Sequence, residues 1–543
     1  MNKNKKFVVA LSLATIMLMQ NTMPLLAKNN EEGKWMSGEY HTHTTQSKDA
    51  GEKITTTEHI LDVAFKEADF TSESWSQAAP WELPTQTTDA DGAAFDYLVL
   101  ANHLRPSFRN PDGKTQDLAF YQGLQQEINK VKALQEEGKY EDKLIFSGFE
   151  WDMLGLDHAA VGIIAPNEEQ MIEGIKEFEY RYSKETKDTY FTNEETEKYG
   201  KRYNENIKEN TFHAIGWLKE NYPDSYVLIN HPARKNGGES ELKIEDIRRM
   251  NDIAPNIVFG FEGILGNQMS NDGRGESKEV YGGADGMLAE VGGMWDALLG
   301  EGRRFFTFAN SDFHFKVRKD PTGGSYSGYW PGEYSRNYTW VEGNTMKDLA
   351  DGLRSGKSFA VTGDLIDALD FRAKGKSEEV EMGDTLKVQK GEEVTLTVRF
   401  KSPEVNNYQT LFSTDTATTN EVAVDHIDLI SGEVTGKISP NSKAYTNDKN
   451  ETTKVIQTFT SEDWTTDEDG YNTLTFTVKA DKDRYYRLRG TNLEVSAEGQ
   501  TDEMGNPLRD EMKERPSADS INDHNYSDLW FYGNPIFVDV QGK

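Results

Sequence analysis

Ten histidines are spread over 543 residues, and six of them stand at or beside the ends of short apolar runs, in company with carboxylates. His41 and His43 are two apart in GEYHTHTT, a spacing that turns both side chains to one face of a strand end. His103 follows FDYLVLAN, Glu150 follows LIFSGF, and His158 opens HAAVGII. His231 follows YVLIN, and Asp312 and His314 follow RFFTFANS. Imidazole and carboxylate together suit Zn²⁺, Mn²⁺ or Fe rather than Ca²⁺. These donors outnumber what one tetrahedral ion takes, so the set predicts two or three divalent ions, with Glu150 suited to bridge them. Ions about 3.5–4 Å apart lower the pKa of a bridging water and clamp the attacking and leaving oxygens of a phosphoryl transfer. The chain has no cysteine. That excludes a disulfide framework, a zinc finger, an iron–sulfur cluster and a thiol nucleophile.

Such donors, far apart in sequence, need a scaffold that brings strand ends together. From about 34 to about 369, apolar runs at 95–101, 143–149, 158–164, 226–230, 256–261, 304–309 and 358–363 alternate with helical patterns. The clearest amphipathic stretches are 117–136, 212–221 and 345–355. Strand-then-helix repetition predicts parallel β/α architecture, and several units in a row predict a barrel whose C-terminal strand ends share one mouth. A doubly wound open sheet would offer a Gly-rich phosphate loop after its first strand, and none is there. The charged, Tyr-rich segment 167–211 reads as a helical insertion in the barrel, either a solvated decoration or a lid.

Beyond about 374 the pattern changes. GDTLKVQKGEEVTLTVRF, YNTLTFTVKADKDRYYRLRG and LWFYGNPIFVDV alternate β-branched and aromatic residues with polar ones, broken by Gly, Asp and Asn. They predict an antiparallel β-sandwich. Asp467, Asp469 and Gly470 there read as a hairpin turn, because the bidentate Glu of a calcium loop is missing. The N-terminus puts three lysines before an apolar run from Phe7 to Met19, closed by Ala27. That is the order of a secretory signal peptide, and the run is shorter than the ~20 residues of a spanning helix. The expected organisation is a signal peptide at 1–27, a metal-binding barrel at 28–372 and a β-sandwich domain at 373–543.

The ordered series HTHTTQSKDAG, FDYLVLANH, GFEW, DHAAVGI, INHPAR and ANSDFH resembles the PHP (polymerase and histidinol phosphatase) metallohydrolases, in the branch that includes bacterial carbaryl hydrolases. The resemblance covers most of 34–370. It implies an α/β fold, a distorted seven-stranded β/α barrel with a di- or trinuclear metal site. By similarity, His41, His43, Glu150 and Asp312 would hold one ion, with Glu150 bridging to a second held by His158 and His231. A third ion would take Asp49, His103 and His314. The chain departs from the family at Asn102, where Asp is usual, a change expected to alter hydrogen bonding around His103.

The expected activity is that of a secreted phosphoesterase that hydrolyses phosphate mono- or diesters through a metal-bridging hydroxide. Glu150 and His231 belong to the catalytic cluster, and His314 or a metal-bound water protonates the leaving oxygen. Arg105, two residues past His103, and Arg234, three past His231, would meet the substrate phosphate, since guanidinium matches its oxygens in a fork. The substrate would derive from wall polymers, lipids or nucleotides. With 92 acidic against 60 basic residues and a formal charge of −32, the chain would repel phosphate backbones, which excludes a nucleic-acid-coating role. No G-x-S-x-G elbow offers a serine nucleophile. Two other functions fit the same pattern: a metal-dependent hydrolase of carbamate, amide or ester bonds, and a wall- or glycan-binding protein with an inert scaffold.

Overall fold

Strands form wherever the apolar runs predict them, in a computed structural model that describes residues 33–51, 53–69, 71–76, 94–265, 279–314, 330–403, 423–510 and 527–542. The signal segment predicted at 1–27 lies outside the described residues. Tyr97–Leu100, Leu144–Ser147, Phe149–Asp152, His158–Gly162, Tyr226–Ile229, Phe306–Ala309 and Ser358–Thr362 are strands, while the 256–261 run becomes one only from Gly260. Helices Phe120–Glu136, Lys208–Asn221 and Met346–Ser355 fall on the amphipathic stretches. Thr345 caps the last of these, in a reciprocal box with Asp348 that satisfies two otherwise orphaned donors. No helix among the described residues is long and apolar enough to cross a membrane.

The fold is mixed α/β with several sheets. In the ten-stranded sheet, Lys34–Thr42 pairs antiparallel with Ser335–Val341 and parallel with Tyr97–Leu100, which continues in parallel to Leu144–Ser147. The seven-stranded sheet holds Phe149–Asp152, His158–Gly162, Tyr226–Ile229, Gly260–Ile264 and Phe306–Ala309. Gly148 lies where the chain leaves one sheet for the other. A Cβ there would stand 2.8 Å from the Val161 carbonyl oxygen, so the close crossing demands glycine.

No closed barrel forms among the described residues. The two sheets meet instead at isolated bridges, Thr42 with Phe313 and His103 with Glu150. Regular pairing breaks at the segments that carry the candidate ligands, where register shifts fall between Glu39 and Thr42 and between Phe308 and Ala309. The parallel pattern is broken too. His158–Gly162 runs antiparallel to both of its neighbours.

The C-terminal strands Ala368–Lys374, Glu393–Lys401 and Asn472–Lys479 form the middle of a five-stranded antiparallel sheet. Its Val398 and Leu474 share a core with Ile427, Leu488 and Val538 of the ten-stranded sheet. Trp530–Gln541 pairs with both Arg484–Thr491 and Ser358–Thr362, so one sheet runs across the 372/373 boundary predicted between domains. Asp467 Oδ1 accepts from the backbone N–H groups of Asp469 and Tyr471, closing the hairpin between Thr465–Thr466 and Asn472–Lys479. In the predicted insertion, Ile175, Phe178 and Tyr182 of helix Glu168–Tyr182 are buried with Phe149 and Trp151. That helix is therefore a packed layer against the site-bearing sheet.

Candidate metal centre

The strand ends bring nine predicted ligands to one place. His41, His43, Glu150 and Asp312 form a group whose ligand atoms all lie within 4.8 Å of one another. Two further groups of the same compactness overlap it, His43–His103–His314 and His103–Glu150–His158. Glu150 is the hub. Its Oε1 lies 3.3 Å from His41 Nε2, 2.7 Å from His158 Nδ1 and 3.4 Å from His231 Nε2. Its Oε2 lies 3.2 Å from His43 Nε2 and 2.9 Å from His103 Nδ1. Asp312 Oδ1 sits 3.0 Å from His41 Nε2 and 3.2 Å from His43 Nε2.

The local backbone explains the convergence. In a wholly parallel sheet, a histidine that opens its strand would lie at the opposite end from ligands that close theirs. Because His158–Gly162 is antiparallel, His158 pairs with Asp152 at the mouth. His231 and Asp312 sit just past their strands with positive φ, 30° and 44°, a region that costs a non-glycine residue roughly 1–3 kcal/mol. Both strained residues aim ligands at the cluster.

The groups differ in part from those the resemblance implies. The first set is gathered as expected. In the second, His103 joins Glu150 and His158, and His231 enters through Glu150. In the third, His43 stands with His103 and His314, while Asp49 Oδ2 lies at the edge, 3.2 Å from His103 Nε2 and 3.8 Å from His314 Nε2.

Hydrogen bonds behind the cluster select tautomers. His231 Nδ1 lies 3.1 Å from Asp157 Oδ2, and His314 Nδ1 lies 2.8 Å from the Asp312 carbonyl oxygen. Both partners accept, so Nδ1 carries a proton and Nε2 is the nitrogen turned toward the cluster. Burial opposes cationic imidazole at His103, yet Glu150 and Asp49 hold its pKa up to about 9. At His231 burial and Arg234 both oppose the charge, but Asp157 and Glu150 raise the pKa to about 10. Burial pushes the other way at Glu150, where His158, His41 and His103 nevertheless keep the carboxyl well below its usual range. In the protein alone, protons on imidazoles do the work of neutralising buried carboxylates.

The donor set fits divalent ions. His41 Nδ1, His103 Nδ1, Glu150 Oε2, His231 Nε2 and Glu262 Oε1 are buried without a hydrogen bond of acceptable geometry. Buried polar atoms are normally paired, and here they crowd together at 2.9–3.5 Å without aligning as donor and acceptor. Imidazole nitrogens and ionised oxygens so disposed suit a shared cation that would replace the imidazole protons.

The cluster opens on a cavity of about 260 Å³ whose wall includes Arg105, Arg234 and Lys235. Arg105 donates to both oxygens of Asp152, at 2.8 and 2.6 Å, and Arg234 to both oxygens of Asp157, at 2.7 and 2.6 Å. Sequence reasoning missed Asp152 and Asp157, although each carried a signal. Asp152 lies two residues past Glu150 on the same strand, and Asp157 directly precedes His158. It missed Lys184 too, whose Nζ is 3.7 Å from Asp152 Oδ1. The Asn102 side chain bonds Thr44, Ser47 and Glu127, and it reaches His103 through Ser47 Oγ, which accepts the His103 backbone N–H at 3.2 Å. A larger cavity, about 1540 Å³ beside helix Glu168–Tyr182, contains none of these ligands. Volume does not locate the chemistry here.

No protein-family profile and no curated protein sequence matches the chain. Among solved structures the chain is similar to a two-domain protein from Bacteroides vulgatus that contains a predicted PHP-like metal-dependent phosphoesterase. That similarity has 11% identity and a TM-score of 0.34, over 88% of this chain and 94% of the other. The buried His/Glu/Asp cluster could hold divalent metal ions.

Proposed function

We propose that the protein is a multinuclear metal-dependent phosphoesterase acting on phosphate mono- or diesters. The observation that carries this reading is the convergence of His41, His43, His103, Glu150, His158, Asp312 and His314 into overlapping, compact ligand groups. Zn²⁺, Mn²⁺ or Fe bound there would supply Lewis acidity toward phosphoryl oxygens and make water a nucleophile at neutral pH.

The chain's own residues do the rest. Asp157 orients His231, and the Asp312 carbonyl orients His314, so that both present Nε2 inward. Glu150 joins the ligand groups through its two oxygens. Arg105 and Arg234, each forked to both oxygens of Asp152 or Asp157, set guanidinium groups on the wall of a cavity sized for a small anion. They orient a phosphate ester against its neighbours, and guanidinium geometry favours that substrate over a neutral carbamate. His314 lines the same cavity and, when its Nε2 carries a proton in place of an ion, would hand that proton to the leaving oxygen.

Aryl phosphate mono- and diesters assayed beside aryl carbamates and amides, with added Mn²⁺ or Zn²⁺, test the proposal. The expected result is ion-dependent release from phosphate esters that a chelator abolishes. Turnover of carbamates or amides alone would replace the phosphoesterase reading with the other hydrolase, and no turnover of any substrate would favour a binding role.

A further inference from the structure

Asn102, where the resembled family usually has Asp, belongs to a buried chain of hydrogen bonds that ends on a candidate ligand. Glu127, on helix Phe120–Glu136, is 1% exposed and lies behind the cluster. Its Oε1 accepts from Asn102 Nδ2 at 2.9 Å and from Thr44 Oγ1 at 3.2 Å, and its Oε2 from Ser147 Oγ at 3.0 Å. The amide of Asn102 is thereby fixed in one orientation. Its Nδ2 faces a carboxylate, which accepts, and its Oδ1 faces the Thr44 N–H at 2.9 Å, which donates. A flipped amide would oppose donor to donor and acceptor to acceptor. An Asp at 102 would set two carboxylates against each other.

The fixed amide decides the next proton. Asn102 Oδ1 also meets Ser47 Oγ at 3.0 Å, and because it only accepts, the single hydroxyl proton of Ser47 goes to it. The Ser47 lone pairs then face the His103 backbone N–H at 3.2 Å and His43 Nδ1 at 2.9 Å. Nδ1 of His43 must therefore be the donor. Its Nε2 points at Glu150 Oε2 and Asp312 Oδ1, 3.2 Å from each, and is the nitrogen left to meet an ion.

We propose that Glu127 is a positioning residue that acts through Asn102 and Ser47 to lock His43 in the Nδ1–H tautomer, aiming its Nε2 at a divalent ion shared with Glu150 and Asp312. This rests on the metal-dependent reading of the site for the ion, but not for the tautomer. Long-range ¹H–¹⁵N spectra of the full-length, metal-free chain with ¹⁵N-histidine read the tautomer directly, with the His43 signals assigned by their loss in His43→Gln. Chelator competition with Zn²⁺ then reads affinity.

The expected result is an Nδ1–H signature for His43 in the wild type and its loss in Ser47→Ala and Glu127→Leu. Zn²⁺ affinity should fall about 10–100-fold in both variants, the usual cost of removing an outer partner of a ligating histidine. Glu127→Gln should restore tautomer and affinity to near wild type, because its amide oxygen still accepts from Asn102 and its NH₂ can donate to Ser147. An Nε2–H His43 in the wild type, or unchanged affinity in Ser47→Ala, overturns the proposal. Should Glu127→Leu not fold, Ser47→Ala and the wild-type spectrum still decide between the two tautomers. A wild type with the expected tautomer that binds no Zn²⁺ or Mn²⁺ overturns the metal reading and its aimed ligand, a failure distinct from a wrong tautomer.

Discussion

Two regions of this chain bury carboxylates, and they neutralise them in opposite ways. Beside the C-terminal strands, Asp296 receives Arg487 Nε at 2.8 Å, Arg487 Nη2 at 2.7 Å and the Tyr485 hydroxyl at 3.0 Å. Nearby, Glu301 receives Arg248 Nε at 2.6 Å and Arg303 Nε at 2.9 Å. Guanidinium is permanently charged and has no lone pair, so those carboxylates are committed to the scaffold. At the candidate metal centre the charged partners of Glu150 are imidazoles, beside an amide donor from Asn230 at 3.1 Å. An imidazole can exchange its proton for a metal ion, and a guanidinium cannot. The same buried charge therefore builds a fastening in one region and, in the other, a cluster that could take up divalent ions.

Breaking the fastening should have the largest effect. Asp296→Ala leaves Arg487 as a buried charge without its carboxylate, and a denaturant titration should show a loss of about 3–5 kcal/mol. Ion binding by the protein that remains folded should be unchanged. An equal loss of ion binding would merge the two regions into one. Breaking the cluster should do the reverse. His231→Ala should lower turnover at least about 100-fold while circular dichroism and the unfolding midpoint stay close to wild type. Near-normal turnover in that variant would remove His231 from the site.

A subtler difference is in pH. His103 and His231 have folded pKa values of about 9 and about 10, above the roughly 6.5 of an unfolded histidine. Their protonation stabilises the metal-free fold fully below about 6.5, and that contribution is lost as pH rises through 9 to 10. Thermal scans of the metal-free protein should show a falling midpoint over that window, and saturating ions should flatten it. Ion affinity should rise with pH across the same range, because binding displaces those protons. Asp296→Ala should leave the slope of both curves intact, since the guanidinium pair does not titrate there.

Much of the candidate site was legible in the sequence, because its histidines and carboxylates sit where a local pattern changes. The two-residue step from His41 to His43 fixes a shared face, and the end of each apolar run marks a strand end. What stayed hidden depends on partners distant in the chain. Nothing in HAAVGII shows that its strand runs antiparallel, the feature that puts His158 at the mouth. Nothing in LWFYGNPIFVDV shows that its strand pairs with Ser358–Thr362, so a change of local pattern near 374 suggested a boundary that the sheet crosses. Arg105 and Arg234 could be read as cations for substrate or for a salt bridge, and only tertiary pairing identifies Asp152 and Asp157 as their partners. The closed barrel was an inference from strand count, whereas the sheets meet at isolated bridges where ligand-bearing segments interrupt the ladders.

A metal count on purified wild-type protein, reconstituted with Zn²⁺ or Mn²⁺ and freed of excess ion, bears most directly on whether this cluster is a receptor for cations. At least about two equivalents per chain are expected, since the overlapping groups around Glu150 offer more donors than one ion takes. Less than about one equivalent would contradict it, and the imidazoles would then be proton-holding partners of buried acids and nothing more.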